Sequence, residues 1–100
     1  MINRIQLVDN QVQVVLQGAI YVEDAATLRE TLLSYIENGH ASFLIDFSAV
    51  DYIDSSGLGT LVAIHKRALH GGGRVTITGL TGLVKELFEL TRLTKVFDIQ

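Results

Sequence analysis

Four short stretches of this chain alternate apolar with polar residues, and in each the apolar set falls on the same side. Ile5 and Leu7, Val12, Val14 and Leu16, Phe43, Ile45 and Phe47, and Val75 and Ile77 make up that side. Arg4, Gln6, Gln11, Gln13, Gln17, Asp46, Arg74, Thr76 and Thr78 make up the other. Strands held between two layers of helices carry continuous apolar runs, so this sheet is predicted to be covered on one face only. Parallel strands added in sequence order place their right-handed crossovers on one side, which agrees with the pattern. The expected fold is an α/β domain with a mixed sheet of four to five strands. An N-terminal hairpin opens it, parallel strands follow, and about three helices lie mainly on one face. A doubly wound nucleotide-binding sheet is not expected.

Taken in order, strands are predicted over 4–8 and 11–17, joined by Asp9-Asn10, a pair that tolerates the positive φ of a tight turn. Gly18 is expected to end the second strand. Glu23 and Asp24 mark an acidic helix start, Ala25, Leu28, Leu32 and Ile36 recur at helical spacing, and Asn38-Gly39 supplies a left-handed stop. The third strand is predicted over 43–47, with 48–53 a loop. A second helix follows from about 57 to 69 and ends in a flexible connection, Gly71-Gly72-Gly73. Residues 74–78 form the fourth strand. Thr81 is placed to cap a third helix with Leu83, Leu87 and Leu90 on one face, and 96–99 read as a short fifth strand.

The 100 residues read as one domain. Although 48 % of them are hydrophobic, no apolar run approaches the roughly 18 residues needed to cross a bilayer, so no membrane insertion is expected. The first residues lack the features of a secretory signal, and a cytoplasmic location is expected. Without cysteine there is neither a disulfide nor a thiolate metal site. Net charge is −3, and the eight basic residues are scattered, with Lys66-Arg67 the densest pair. Nucleic-acid binding needs a clustered basic face, which is missing.

The chemistry concentrates in Asp54-Ser55-Ser56-Gly57-Leu58-Gly59, where the third strand hands over to the second helix. One reading is purely structural. A serine there is a good N-cap, contributing about 0.5–2 kcal/mol, and Ser56 is the natural candidate, with Asp54 adding favourable charge. That leaves Ser55 without a structural task. Gly57 and Gly59 each cost about 1 kcal/mol against alanine in a helix interior, which suggests that something approaches this backbone closely. A hydrolase would need G-x-S-x-G, yet Ile53 stands two residues before Ser55 and Asp54 two before Ser56. His40 and His70 fall at loop positions, and His65 falls at the margin of the helix's apolar register. A phosphate-cradling loop would need a lysine that is missing, and Asp54 would repel the phosphate. A phosphate attached to Ser55 is different. Its charge of about −1.5 to −2 sits where the helix dipole tolerates it, whereas a partner docked over it would meet a desolvated dianion. Ser55 is therefore the candidate phosphate acceptor. Asp54, Ser56, Gly57, Leu58 and Gly59 are the candidate partner surface, with Leu58 expected to be partly exposed. No catalytic residue, metal site or cofactor is expected: the reading is a binding switch and not an enzyme.

The run Ile45-Asp46-Phe47-Ser48-Ala49-Val50-Asp51-Tyr52-Ile53-Asp54-Ser55-Ser56-Gly57-Leu58-Gly59 resembles the signature of the STAS domain, in particular bacterial anti-sigma factor antagonists. The likeness extends over nearly the whole chain, through the opening hairpin, Gly71–Gly73, Val84 to Phe88 and Thr91-Arg92-Leu93. It implies partner switching. The unmodified domain would bind a serine kinase that doubles as an anti-sigma factor and so release the sigma factor. That kinase would use ATP and Mg²⁺ to phosphorylate Ser55, and a metal-dependent serine/threonine phosphatase would reverse the step. The family also implies a second role, a non-switching scaffold or adaptor in a signalling or lipid-transport complex. The chain departs from the family in two places. Gly18-Ala19-Ile20-Tyr21 stands where members often have Gly-Glu-Leu-Asp, making this corner less acidic unless Glu23 or Asp24 substitutes. Many members also continue past the position of Gln100 into another helix, so a surface they cover is expected to lie open.

Overall fold

The structure, a computed structural model, describes residues 1–100 and contains five strands and three α-helices. Strand β1 (Ile2–Val8) and strand β2 (Gln11–Ile20) form the antiparallel hairpin, with Asp9 and Asn10 both at positive φ (48° and 67°). Helix α1 (Val22–Glu37) leads to β3 (Ser42–Ile53), then α2 (Ser55–His70) leads to β4 (Arg74–Thr78). Helix α3 (Gly82–Leu90) and a single 3₁₀ turn (Leu93–Lys95) precede a two-residue β5 (Asp98–Ile99). The sheet order is β1-β2-β3-β4-β5, with every pair after the first parallel. This agrees with the expected mixed sheet of four to five strands with about three helices. No helix is long and apolar enough to cross a membrane.

Val12, Val14 and Leu16 on β2, Phe43, Ile45 and Phe47 on β3, and Val75 and Ile77 on β4 are all buried beneath Leu28, Leu32, Leu61, Ile64 and Phe88 from the helices. Leu7 departs from the pattern at 45 % exposed, because β1 is an edge strand and the helical layer thins above it. Thr76 is buried although polar, its hydroxyl donating to Asp98 Oδ2 at 3.3 Å.

Three boundaries differ from the sequence expectation. Gly18 does not end β2: it adopts φ 74° between two register shifts, and pairing resumes through Ala19 and Ile20. The segment 48–53 is the second half of β3 and not a loop, with Gly18↔Val50, Ala19↔Tyr52 and Ile20↔Ile53 in register. Bulges break the two-residue period there, so burial falls on Val50 and Ile53, three residues apart, and no alternation remains to be read. Helix α3 turns a different face to the core than its leucines suggest. Val84 and Phe88 are buried and Leu87 is half-buried against the core, while Leu83 is 51 % and Leu90 80 % exposed. Phe88 wins because its ring packs edge-on against Phe47 at 5.6 Å and lies 6.1 Å from Phe97, contacts a leucine at 83 or 90 cannot make. Thr81 occupies the N-cap position of α3, but its side chain makes no capping bond.

Candidate functional site

At the C-terminal end of the parallel strands, β2 passes into α1 and β3 passes into α2 side by side. The Asp54 amide donates to the Ile20 carbonyl at 3.1 Å, tying the two junctions together. Each junction is finished by a carboxylate. Asp24 Oδ2 accepts from the Tyr21 amide at 3.1 Å, and Asp54 Oδ1 accepts from the Gly57 amide at 3.0 Å. The first turns of both helices thus open on one rim, and a helix start favours negative charge.

Asp54, and not Ser56, is the N-cap of α2. The helix begins two residues earlier than periodicity indicates, at Ser55, and an aspartate with extended backbone (φ −92°, ψ −179°) satisfies the third amide of the first turn. Ser55 is exposed at the first helical position, and Ser56 beside it is half-buried. Gly57 is buried for a reason internal to the fold. A Cβ there would lie 2.6 Å from Ile53 Cγ1 and 3.2 Å from Ile20 Cγ2, so the close approach comes from the chain's own core. Gly59 is exposed, with nothing within 4 Å of a Cβ. Leu58 is half-buried and packs against the edge of the core.

Two residues at this rim stand out that the loop motif does not contain. Tyr21 (53 % exposed) and Tyr52 (36 % exposed) lie ring to ring, centroids 5.6 Å apart, with Val22 exposed beside them. The Ala19↔Tyr52 register makes them neighbours. A reading that places 48–53 in a loop has no means of seeing this.

The three histidines lie elsewhere. His40 Nδ1 is 2.8 Å from Asn10 Oδ1 at the opposite end of the sheet. There, a cavity of about 560 Å³ is lined by Leu7, Tyr35 and His40 among others, well apart from Ser55. His70 is exposed at the end of α2. His65 is buried, beyond the marginal position expected of it. Its Nδ1 accepts from the Val75 amide at 3.1 Å, and its ring packs edge-on against Phe97 at 5.1 Å. Burial holds its pKa below 6.5, the Val96 backbone pulls the other way, and the Arg74 charge adds to the lowering. The triple glycine is likewise more than a flexible connection. Gly72 takes φ 83°, and a side chain at Gly73 would collide with the Ala41 carbonyl.

Comparison with known proteins gives a consistent result. The model of the STAS domain family matches residues 4–100. The anti-sigma-B factor antagonist of Bacillus subtilis (strain 168) is 36 % identical over 91 residues, covering 91 % of this chain and 83 % of that protein. Among solved structures, the protein TM1081 of Thermotoga maritima superposes with a TM-score of 0.90 at 24 % identity, over 96 % of this chain and 83 % of that one. The Bacillus cell fate determinant SpoIIAA in its phosphorylated form superposes with a TM-score of 0.79 at 17 % identity, over 97 % of this chain and 89 % of that one. At these identities the two structures establish a shared fold.

Proposed function

Because this chain belongs to the STAS domain family, and within it to the anti-sigma factor antagonists, we propose that it works by partner switching under control of Ser55. The unphosphorylated protein binds a serine kinase that is also an anti-sigma factor, and phosphorylation of Ser55 releases it. A serine/threonine phosphatase then restores the binding form. The observation that carries this reading is the division of labour at the start of α2. Asp54 caps the helix, so the exposed Ser55 has no structural duty to lose.

In the transfer, Ser55 Oγ attacks the γ-phosphorus of the kinase's Mg²⁺-bound ATP. The new P–O bond forms as the bond to the β-phosphate oxygen breaks, and the serine proton passes to a base on the kinase. The phosphoserine then faces the diphosphate of ADP across a dry interface. Two clustered anions in a low-dielectric contact repel strongly, which drives release. The domain itself is little affected, since the new charge lies at a helix start. Asp54, Ser56, Leu58 and Gly59 form the surface around the acceptor, with Gly57 setting its backbone from beneath. The protein carries out no catalysis of its own in this cycle.

The test is to incubate the protein with the serine kinase encoded alongside it and ATP, then to locate phosphate by mass spectrometry. One phosphate is expected on Ser55, lost in Ser55→Ala and retained in Ser56→Ala. Ser55→Asp is expected to fold normally and bind the kinase at least tenfold more weakly. No incorporation at Ser55 would leave a scaffold that does not switch.

A further inference from the structure

We infer that the Tyr21–Tyr52 pair is a specificity-determining shelf of this interface, built to receive an arginine of the partner kinase. The inference rests on the partner-switching reading for the identity of the partner, but on separate residues. The rings are exposed and adjacent, and the Asp54–Ile20 bond ties together the two strand-to-helix junctions beside them. An exposed aromatic pair is a rigid, amphipathic platform of the kind that anchors protein interfaces.

Charge identifies the occupant. Glu23 and Asp24 lie two and three residues after Tyr21, Asp51 precedes Tyr52 and Asp54 lies two residues after it, whereas neither 5–28 nor 46–65 contains a Lys or Arg. A cation is thus drawn to this rim, and aromatic faces select among cations. The planar, weakly hydrated guanidinium stacks on a ring while its N–H groups reach neighbouring carboxylates. The compact, strongly hydrated ammonium of lysine does this less well.

Such a shelf acts apart from the switch. The phosphate on Ser55 is answered by the nucleotide phosphates opposite it, while the tyrosines meet the same arginine in both states. The shelf therefore sets which kinase binds, and Ser55 sets when. Removing the rings lowers affinity for the phosphorylated and unphosphorylated forms by the same factor.

The experiment measures calorimetric affinity of the co-encoded kinase for the wild-type protein, Tyr21→Phe, the Tyr21→Ala/Tyr52→Ala double variant, Tyr21→Lys and Ser55→Asp. The double variant is expected to lose at least tenfold and Tyr21→Lys more, with Tyr21→Phe within threefold of wild type. Binding of wild-type protein is expected to protect a kinase arginine from phenylglyoxal, and the double variant is expected to fail to protect it. If the double variant does not fold, Tyr21→Lys at its exposed position provides the same comparison. Wild-type affinity in these tyrosine variants, or protection of no arginine, overturns the shelf whatever Ser55→Asp does. Normal binding by Ser55→Asp overturns the switch alone, so the two ideas fail separately.

Discussion

Two glycines two residues apart in α2 carry opposite requirements. Gly57 faces inward, where a methyl group would overlap Ile53 and Ile20. Gly57→Ala is expected to destabilise the domain by about 1–3 kcal/mol, the usual cost of overpacking, read as a lower denaturant midpoint. Gly59 faces open space, so Gly59→Ala is expected to stabilise the helix by up to about 1 kcal/mol. A glycine kept where alanine would be more stable implies an external demand, and the same variant is expected to weaken kinase binding. Stabilisation with unchanged binding would remove Gly59 from the interface. From sequence the pair reads as one signal of close approach, because the direction each Cα faces is set by where the helix begins. The cap has the same origin. Asp54 and Ser56 are both competent, and only the two-residue earlier start selects the aspartate.

Among the elements, α2, β4 and the 3₁₀ turn meet at one side chain. His65 ties α2 to β4 through the Val75 amide and packs on Phe97 beyond the turn. To accept that bond, Nδ1 must be unprotonated, which agrees with a pKa lowered chiefly by burial. Its contribution to stability is complete above the unfolded pKa of about 6.5 and is lost as pH falls below it, because the unfolded chain takes up a proton that the folded one refuses. The loss levels off once the folded pKa is reached. Melting temperature is therefore expected to fall as pH drops from about 7 to about 5. The fall should be shallower in His65→Gln, which keeps an acceptor but does not titrate. Parallel curves for the two proteins would locate the acid sensitivity elsewhere. This meeting of elements is hidden in the sequence, since Phe97 and Val75 are distant from His65 along the chain. The hairpin, β4 and the buried side of α1 are legible because each writes its own period against one wet face. The second half of β3 is not, because its register shifts erase the period. Helix α3 misleads in part: of the stripe Leu83, Leu87 and Leu90 only Leu87 packs against the core, while shape complementarity to Phe47 and Phe97 favours Phe88.

For the molecule as a whole, β2 and β3 deliver their C-terminal ends to the Ser55 rim, while the cavity lies at the other end. A signal at the rim therefore has two ways to act: by altering the surface it sits on, or by travelling through the core to another face. The core argues for the first. Twenty buried residues form one cluster beneath a single helical layer, and close-packed interiors of this kind do not deform gradually. Ser55 is exposed, and a phosphate there gains about 0.3–1 kcal/mol from the helix start. Nearby carboxylates oppose it through solvent that screens beyond about 8–10 Å. The two effects nearly cancel, so phosphorylation is expected to move the melting temperature by less than about 4 °C. Hydrogen-exchange changes are expected to stay within the rim, at 19–24 and 51–60, and not to reach β4, α3 or the cavity. Kinase affinity should nevertheless fall at least tenfold, a large loss of binding from a domain that has barely changed. Altered exchange in β4 or α3 on phosphorylation would mean that the charge works through the fold, and surface repulsion would no longer account for release.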